Sequence, residues 1–66
     1  MSVAKVVEIS AESDKSFEEA VREGLHRATD TLGNVRGAWI KEQKVRVEKG
    51  KIVAYRVNLQ VTFVLK

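Results

Sequence analysis

One histidine, one tryptophan and no cysteine limit what this 66-residue chain can do chemically. His26 lies four residues before Asp30, a spacing that on a helix lets a carboxylate orient the imidazole. No Ser or Cys is placed to be its nucleophile, so the expectation is a solvated surface histidine and no catalysis. Without cysteine there is neither a disulfide nor a thiolate metal site, and a single histidine removes a His-cluster zinc site. Glu18, Glu19 and Glu23 share one helical face and could meet a divalent cation at a subunit junction. Such residues ordinarily serve solubility, and no metal site is assigned to them. Gly24, Gly33, Gly37 and Gly50 follow no phosphate-loop spacing.

Trp39 stands apart from these. Ala38 and Ile40 supply a core-facing pair, so on a strand the indole points to the opposite face, with Gly37 and Lys41. Gly37, one same-face step back, opens room beside the ring. An outward Trp on a small basic chain serves a subunit contact or stacks a planar ligand. Nucleic-acid base stacking is the weaker alternative. Single-strand binders combine a basic groove with several aromatics, whereas Phe17, Tyr55 and Phe63 all fall on core parity. The net charge of +3 is unevenly spread. Residues 1–35 carry four Lys/Arg against seven Asp/Glu; residues 36–66 carry eight against two. The basic half suits an anionic partner such as nucleic acid, a phosphate or a cofactor, or is simply a solvated strand face.

The elements that must position these residues follow from periodicity. Residues 3–9, VAKVVEI, read as a strand with Val7 and Ile9 on one face and Val6 and Glu8 on the other. SAESDKS reads as a loop ending in helix-start chemistry: Ser16 with Glu19 matches a capping box, and Ser13 is a second N-cap candidate. Phe17, Val21, Leu25, Ala28 and Leu32 then form one apolar helical stripe. Glu18–Arg22 and Glu23–Arg27 are i,i+4 pairs on the opposite face. Gly33 is a C-cap. Two long strands follow, near 35–47 and 51–65, joined by a hairpin loop at Glu48–Lys51 with Gly50 at positive φ. The last strand alternates cleanly, with Val53, Tyr55, Val57, Leu59, Val61, Phe63 and Leu65 on its core face. The middle one does not: Ala38 and Ile40 share one parity, Val45 and Val47 the other. Either a β-bulge switches faces near Lys41–Lys44, or the far half buries its other side.

Strand, helix, strand, strand is an α+β order in one domain, residues 1–66. An all-antiparallel sheet requires the last strand in the middle; the alternative is a parallel βαβ crossover. A chain this short buries only ~60% of its unfolded surface, so self-association is expected. Lengths agree: a helix of ~16 residues spans ~24 Å and a strand of ~13 residues ~43 Å, so one helix cannot cover its sheet. MSVAKVVEIS lacks a signal-peptide core and no run is long enough to span a bilayer, which leaves the cytoplasm as the expected location.

Across nearly all its length the chain resembles the dodecins. The matching stretches are VAKVVEI, the S-x-x-S-F helix start at Ser13–Phe17, the helix tail RATDTLGNV and the ending AYRVNLQVTFVLK. The resemblance implies a βαββ fold whose last strand is central and whose sheet wraps the helix. It also implies a hollow homododecamer that binds flavin, with coenzyme A as a further ligand of some members. Flavin-binding members stack isoalloxazine rings on a second-strand Trp at subunit contacts, and a Gln after the third-strand aromatic hydrogen-bonds the ring. Here the Trp position holds Gly37 and the Gln position holds Arg56. VRGAWIKEQ looks closer to a branch without that Trp, which includes a calcium-binding dodecin. Two functions follow. One is a non-catalytic shell that sequesters riboflavin or FMN, with Trp39 as platform beside Gly37, Arg56 as donor to a ring carbonyl, and Lys44 or Arg46 on the FMN phosphate. The other is a flavin-free structural or calcium-binding shell.

Overall fold

The computed structural model describes residues 3–65. Four elements follow in order: β1 (Ala4–Ser13), α1 (Phe17–Leu32), β2 (Val35–Glu48) and β3 (Lys51–Val64). They form one three-stranded antiparallel sheet in the order β1-β3-β2, with the helix on one face. The last strand is central and no parallel crossover is present in that sheet. β1 runs longer than its alternation alone indicates. Residues 10–13 continue the ladder because β3 offers them partners as far as Ser13 opposite Tyr55.

Ser16 caps α1: its hydroxyl accepts from the Glu19 backbone N–H at 3.0 Å. Ser13 is not a cap. It lies at the end of β1 and accepts from the Lys15 N–H at 2.9 Å, closing a short side-chain turn. Gly33 takes φ 66° and donates its N–H to Thr29 O, and Asn34 follows at φ 46°. Lys49 and Gly50 take φ 53° and 77°, the sign a type I′ two-residue hairpin demands.

The helix meets the sheet through small residues. Ala20, Gly24 and Ala28 are the buried positions of α1, and Val57, Leu59 and Val61 form the sheet side of the core. Phe17, Val21, Leu25 and Leu32 flank this line and are only partly buried. The larger apolar residues thus mark the helix's correct side, while its line of closest approach runs through the small ones. Phe17 and Tyr55 close the helix N-terminal end edge-to-face, with ring centroids 5.2 Å apart. Leu65, past the end of β3, is exposed and lies outside the core.

β2 changes face at a bulge. Ala38 and Ile40 stand opposite Val61 and Leu59, on the helix side. The register slips between Ile40 and Glu42, after which Gln43 and Val45 stand opposite Val57 and Tyr55 on that same side. Lys41 is the extra residue, and the broken alternation of the sequence has this cause. The helix sits over β1 and β3 and barely reaches β2. Ile40 and Val45 therefore remain exposed on the helix side, and Val47 and Ile52 are exposed at the hairpin end, beyond a further register shift after Arg46. Overall dimensions of 51 × 19 × 13 Å reflect strands that outrun their helix. No helix among the described residues is long and apolar enough to cross a membrane.

Candidate ligand-binding site

The sheet face away from the helix carries the candidate chemistry, and the strand register orders it into rows. Val6, Thr62 and Gly37 form one row; Glu8, Gln60 and Trp39 the next. Ser10, Asn58 and Glu42 follow, then Glu12, Arg56 and Lys44, then Ala54 with Arg46. Same-face residues along a strand are ~6.6 Å apart, so Trp39 and Arg56 lie two rows and ~13 Å apart along the sheet.

Trp39 is 55% exposed and faces away from the helix, as the parity of its neighbours requires. Gly37 is its same-face neighbour, and a Cβ at Gly37 would meet nothing within 4 Å. The space beside the indole is open within the protomer. Directly across the ladder from Trp39 stands Gln60. Its Nε2 donates to Glu8 Oε1 at 2.8 Å, and Lys41 Nζ donates to the same oxygen at 3.2 Å. Gln60, Glu8 and Lys41 were not legible as a group until the register placed them together.

Arg56, Arg46 and Lys44 form a second cluster further along the face. Glu12 bridges the two arginines, at 3.2 Å to Arg56 and 3.5 Å to Arg46. Together with Val45 these four line a concavity of about 330 Å³. Three cations face one carboxylate, so the cavity carries an excess positive charge suited to a phosphate. Within one protomer Arg56 does not adjoin Trp39. Gly37 and Arg56 are further apart still, three rows or ~20 Å, so a single ring does not meet both within one protomer.

The remaining candidates are solvated. His26 Nδ1 is 3.8 Å from Asp30 Oδ2, with both side chains largely exposed. Glu18 and Glu19 both pair with Arg22, at 3.1 and 3.0 Å. The expected Glu23–Arg27 pair is not formed among the described residues, in keeping with the few tenths of a kcal/mol such an exposed pair contributes. Glu12, Asp14, Glu19 and Glu23 border a shallow hollow, but Glu12 and Glu19 are already committed to arginines. Among the described residues no three His, Cys, Asp or Glu side chains stand close enough to hold a metal ion. On the helix side, Val21, Leu25, Thr29 and Ile40 line an apolar groove of about 670 Å³ between α1 and β2.

A family model described as Dodecin matches residues 3–66. The chain belongs to the dodecin family. It is 36% identical over 66 residues to the calcium dodecin of Mycobacterium tuberculosis (strain ATCC 25618 / H37Rv), covering 100% of this chain and 93% of that one. The crystal structure of that calcium-chelating dodecin, described with a novel calcium-binding site, superposes with TM-score 0.83 at 38% identity, covering 97% of this chain and 91% of that one. The dodecin from Streptomyces davaonensis superposes with TM-score 0.93 at 28% identity, covering 98% and 96%. The backbone is therefore that of a dodecin.

Proposed function

We propose that this dodecin-family protein binds and sequesters a flavin, FMN or riboflavin, in a closed homo-oligomeric shell of twelve chains, without catalysing a reaction on it. The single observation that carries the proposal is the half-exposed indole of Trp39 beside the open space at Gly37, on a sheet face that bears the cationic cluster ~13 Å further along. That distance matches an isoalloxazine ring on Trp39 whose ribityl chain carries a phosphate to Lys44, Arg46 and Arg56. The phosphate would take the place of Glu12 as their anionic partner. The same cations would serve the phosphates of coenzyme A. Stacking against an electron-rich indole quenches flavin photochemistry and withholds the cofactor from solution, which is a binding function and needs no catalytic residue.

Self-association follows from the uncovered helix side of β2. Ile40 and Val45 are exposed apolar side chains there in a 66-residue chain, Ile40 lines an apolar groove, and Val47 and Ile52 are exposed at the hairpin end. No described element of the chain covers them, and copies of the chain are the cover this reading supplies.

A second reading, a calcium-binding or purely structural shell, is favoured by the likeness to the M. tuberculosis calcium dodecin. Within one protomer the arginine pairings of Glu12 and Glu19 weigh against it. The test is the visible absorption of freshly purified protein, followed by titration with FMN, riboflavin and Ca²⁺. A yellow protein that quenches flavin fluorescence supports the proposal. Calcium uptake without flavin binding would replace it with the second reading.

A further inference from the structure

We infer that Gln60, held by Glu8, reads the hydrogen-bonding edge of the ring stacked on Trp39, and that the ligand class is a planar heterocycle with an N–H next to a carbonyl. The inference rests on the flavin reading above and goes beyond it by naming the group that recognises the ring.

Arg56, the ring-edge partner that the resemblance implies, offers only donors. An imide edge, with its N–H between two carbonyls, needs an acceptor as well as a donor. Arg56 is also ~13 Å from the Trp39 row within the protomer and is paired with Glu12. Gln60, by contrast, stands directly opposite Trp39, and cross-strand partners have Cβ atoms only ~5 Å apart. Its orientation is fixed. Glu8 Oε1 accepts from Gln60 Nε2 at 2.8 Å, and a carboxylate accepts only, so the amide nitrogen must face Glu8. One N–H is thereby used. The other N–H and the carbonyl Oε1 remain, side by side on one planar group, as a donor–acceptor pair. Lys41, donating to the same Glu8 oxygen at 3.2 Å, helps to hold the carboxylate in place.

A ring lying on the indole presents its edge toward the central strand, where this pair waits. The Gln60 carbonyl accepts from the ring N–H, and its free N–H donates to the adjacent ring carbonyl. Glu8 and Lys41 are positioning residues: they touch the amide and need not touch the ring. The arrangement selects against a ring methylated at that nitrogen, which loses the donor and clashes with the amide.

The experiment uses wild-type protein, riboflavin and its N3-methyl analogue, with affinity read from quenching of flavin fluorescence. Wild-type protein is expected to prefer riboflavin by about ten- to a hundredfold, the effect of leaving one buried polar group unpaired. Gln60→Leu should lose about as much affinity for riboflavin and bind the two flavins equally. Should leucine disturb assembly, seen by sedimentation, Gln60→Glu keeps the shape but removes the donor, and it should also lose riboflavin affinity. Wild-type protein that binds riboflavin, with variants that keep both its affinity and its discrimination, would overturn the role of Gln60 and leave the flavin reading standing. Wild-type protein that binds neither flavin would overturn the flavin reading, and the role of Gln60 with it.

Discussion

A Cβ placed on Gly24 would lie 3.0 Å from the Cβ of Ala11 and 3.3 Å from a Leu59 methyl. The helix thus rests on β1 with no room for a methyl group. Ala11 Cβ is fixed to the strand backbone and cannot rotate away, so relief requires the helix to move. Gly24→Ala would gain ~1 kcal/mol of helix propensity and lose ~1–3 kcal/mol to overpacking. The expected net effect is destabilisation by up to about 2 kcal/mol, seen as a lower denaturation midpoint. A raised midpoint would show that helix and sheet are looser than this packing indicates.

The exposed apolar row on β2 predicts a closed oligomer. Sedimentation should find no folded monomer at micromolar concentration, with a mass near twelve chains. Ile40→Glu places a charge in the groove beside Val21 and Leu25 and should shift the population to smaller species. Folding and assembly are then linked, so the melting temperature should rise with protein concentration. A concentration-independent melt of a folded monomer would defeat this prediction.

Much of this was legible in the sequence because the relevant signals are local. The parity of Ala38 and Ile40 placed Trp39 on the outer face, and the alternation of Val57, Leu59 and Val61 marked the central strand. Antiparallel pairing then left one strand order. The bulge stood open as one of two explanations of the Val45–Val47 phase change, and the register decides it at Lys41. Three things were not legible. Of the close-packed line Ala20, Gly24, Ala28, only Ala28 stood in the apolar stripe, and Ala20 and Gly24 were hidden beneath the larger residues beside them. The end of β1 looked like a loop because Ser10 to Ser13 are polar or small, and only partners on β3 make it a strand. The grouping of Glu8, Gln60 and Lys41 joins three strands, and no spacing within one segment carries such information.

Trp39→Ala separates platform from scaffold. The indole is on the outer face and contributes nothing to the Val57–Leu59–Val61 core. Far-ultraviolet circular dichroism should stay unchanged. Flavin affinity should fall by about one to two orders of magnitude, the stacking contribution of one aromatic platform at ~1–3 kcal/mol. Unchanged flavin affinity would place the ring elsewhere, and a lost sheet signal would assign Trp39 to the fold.

The phosphate cluster predicts a charge-dependent preference for FMN. Lys44, Arg46 and Arg56 surround one carboxylate, so a dianionic phosphate gains charge-assisted hydrogen bonds that riboflavin cannot make. Wild-type protein should bind FMN more tightly than riboflavin, and added salt should narrow the difference. Arg46→Ala should weaken FMN and leave riboflavin nearly unaffected, since the cluster lies ~13 Å along the face from the ring.

Restoring the pattern that the resemblance implies, with Trp at 37 and Gln at 56, asks whether a tryptophan at 39 moves the site or abolishes it. Gly37→Trp with Trp39→Glu shifts the platform back by one row, ~6.6 Å, and Arg56→Gln returns the amide. A ring on the restored platform would lie opposite Thr62 instead of Gln60. The triple variant should therefore bind flavin across a subunit junction and cease to depend on Gln60. Adding Gln60→Leu to it should cost nothing, whereas the same change in the wild type costs about ten- to a hundredfold. Equal sensitivity to Gln60→Leu in both backgrounds would mean that the ring sits in one place regardless of the tryptophan. Binding by the triple variant alone would make the flavin-free shell the better description of the natural protein, with Trp39 serving the contact between subunits.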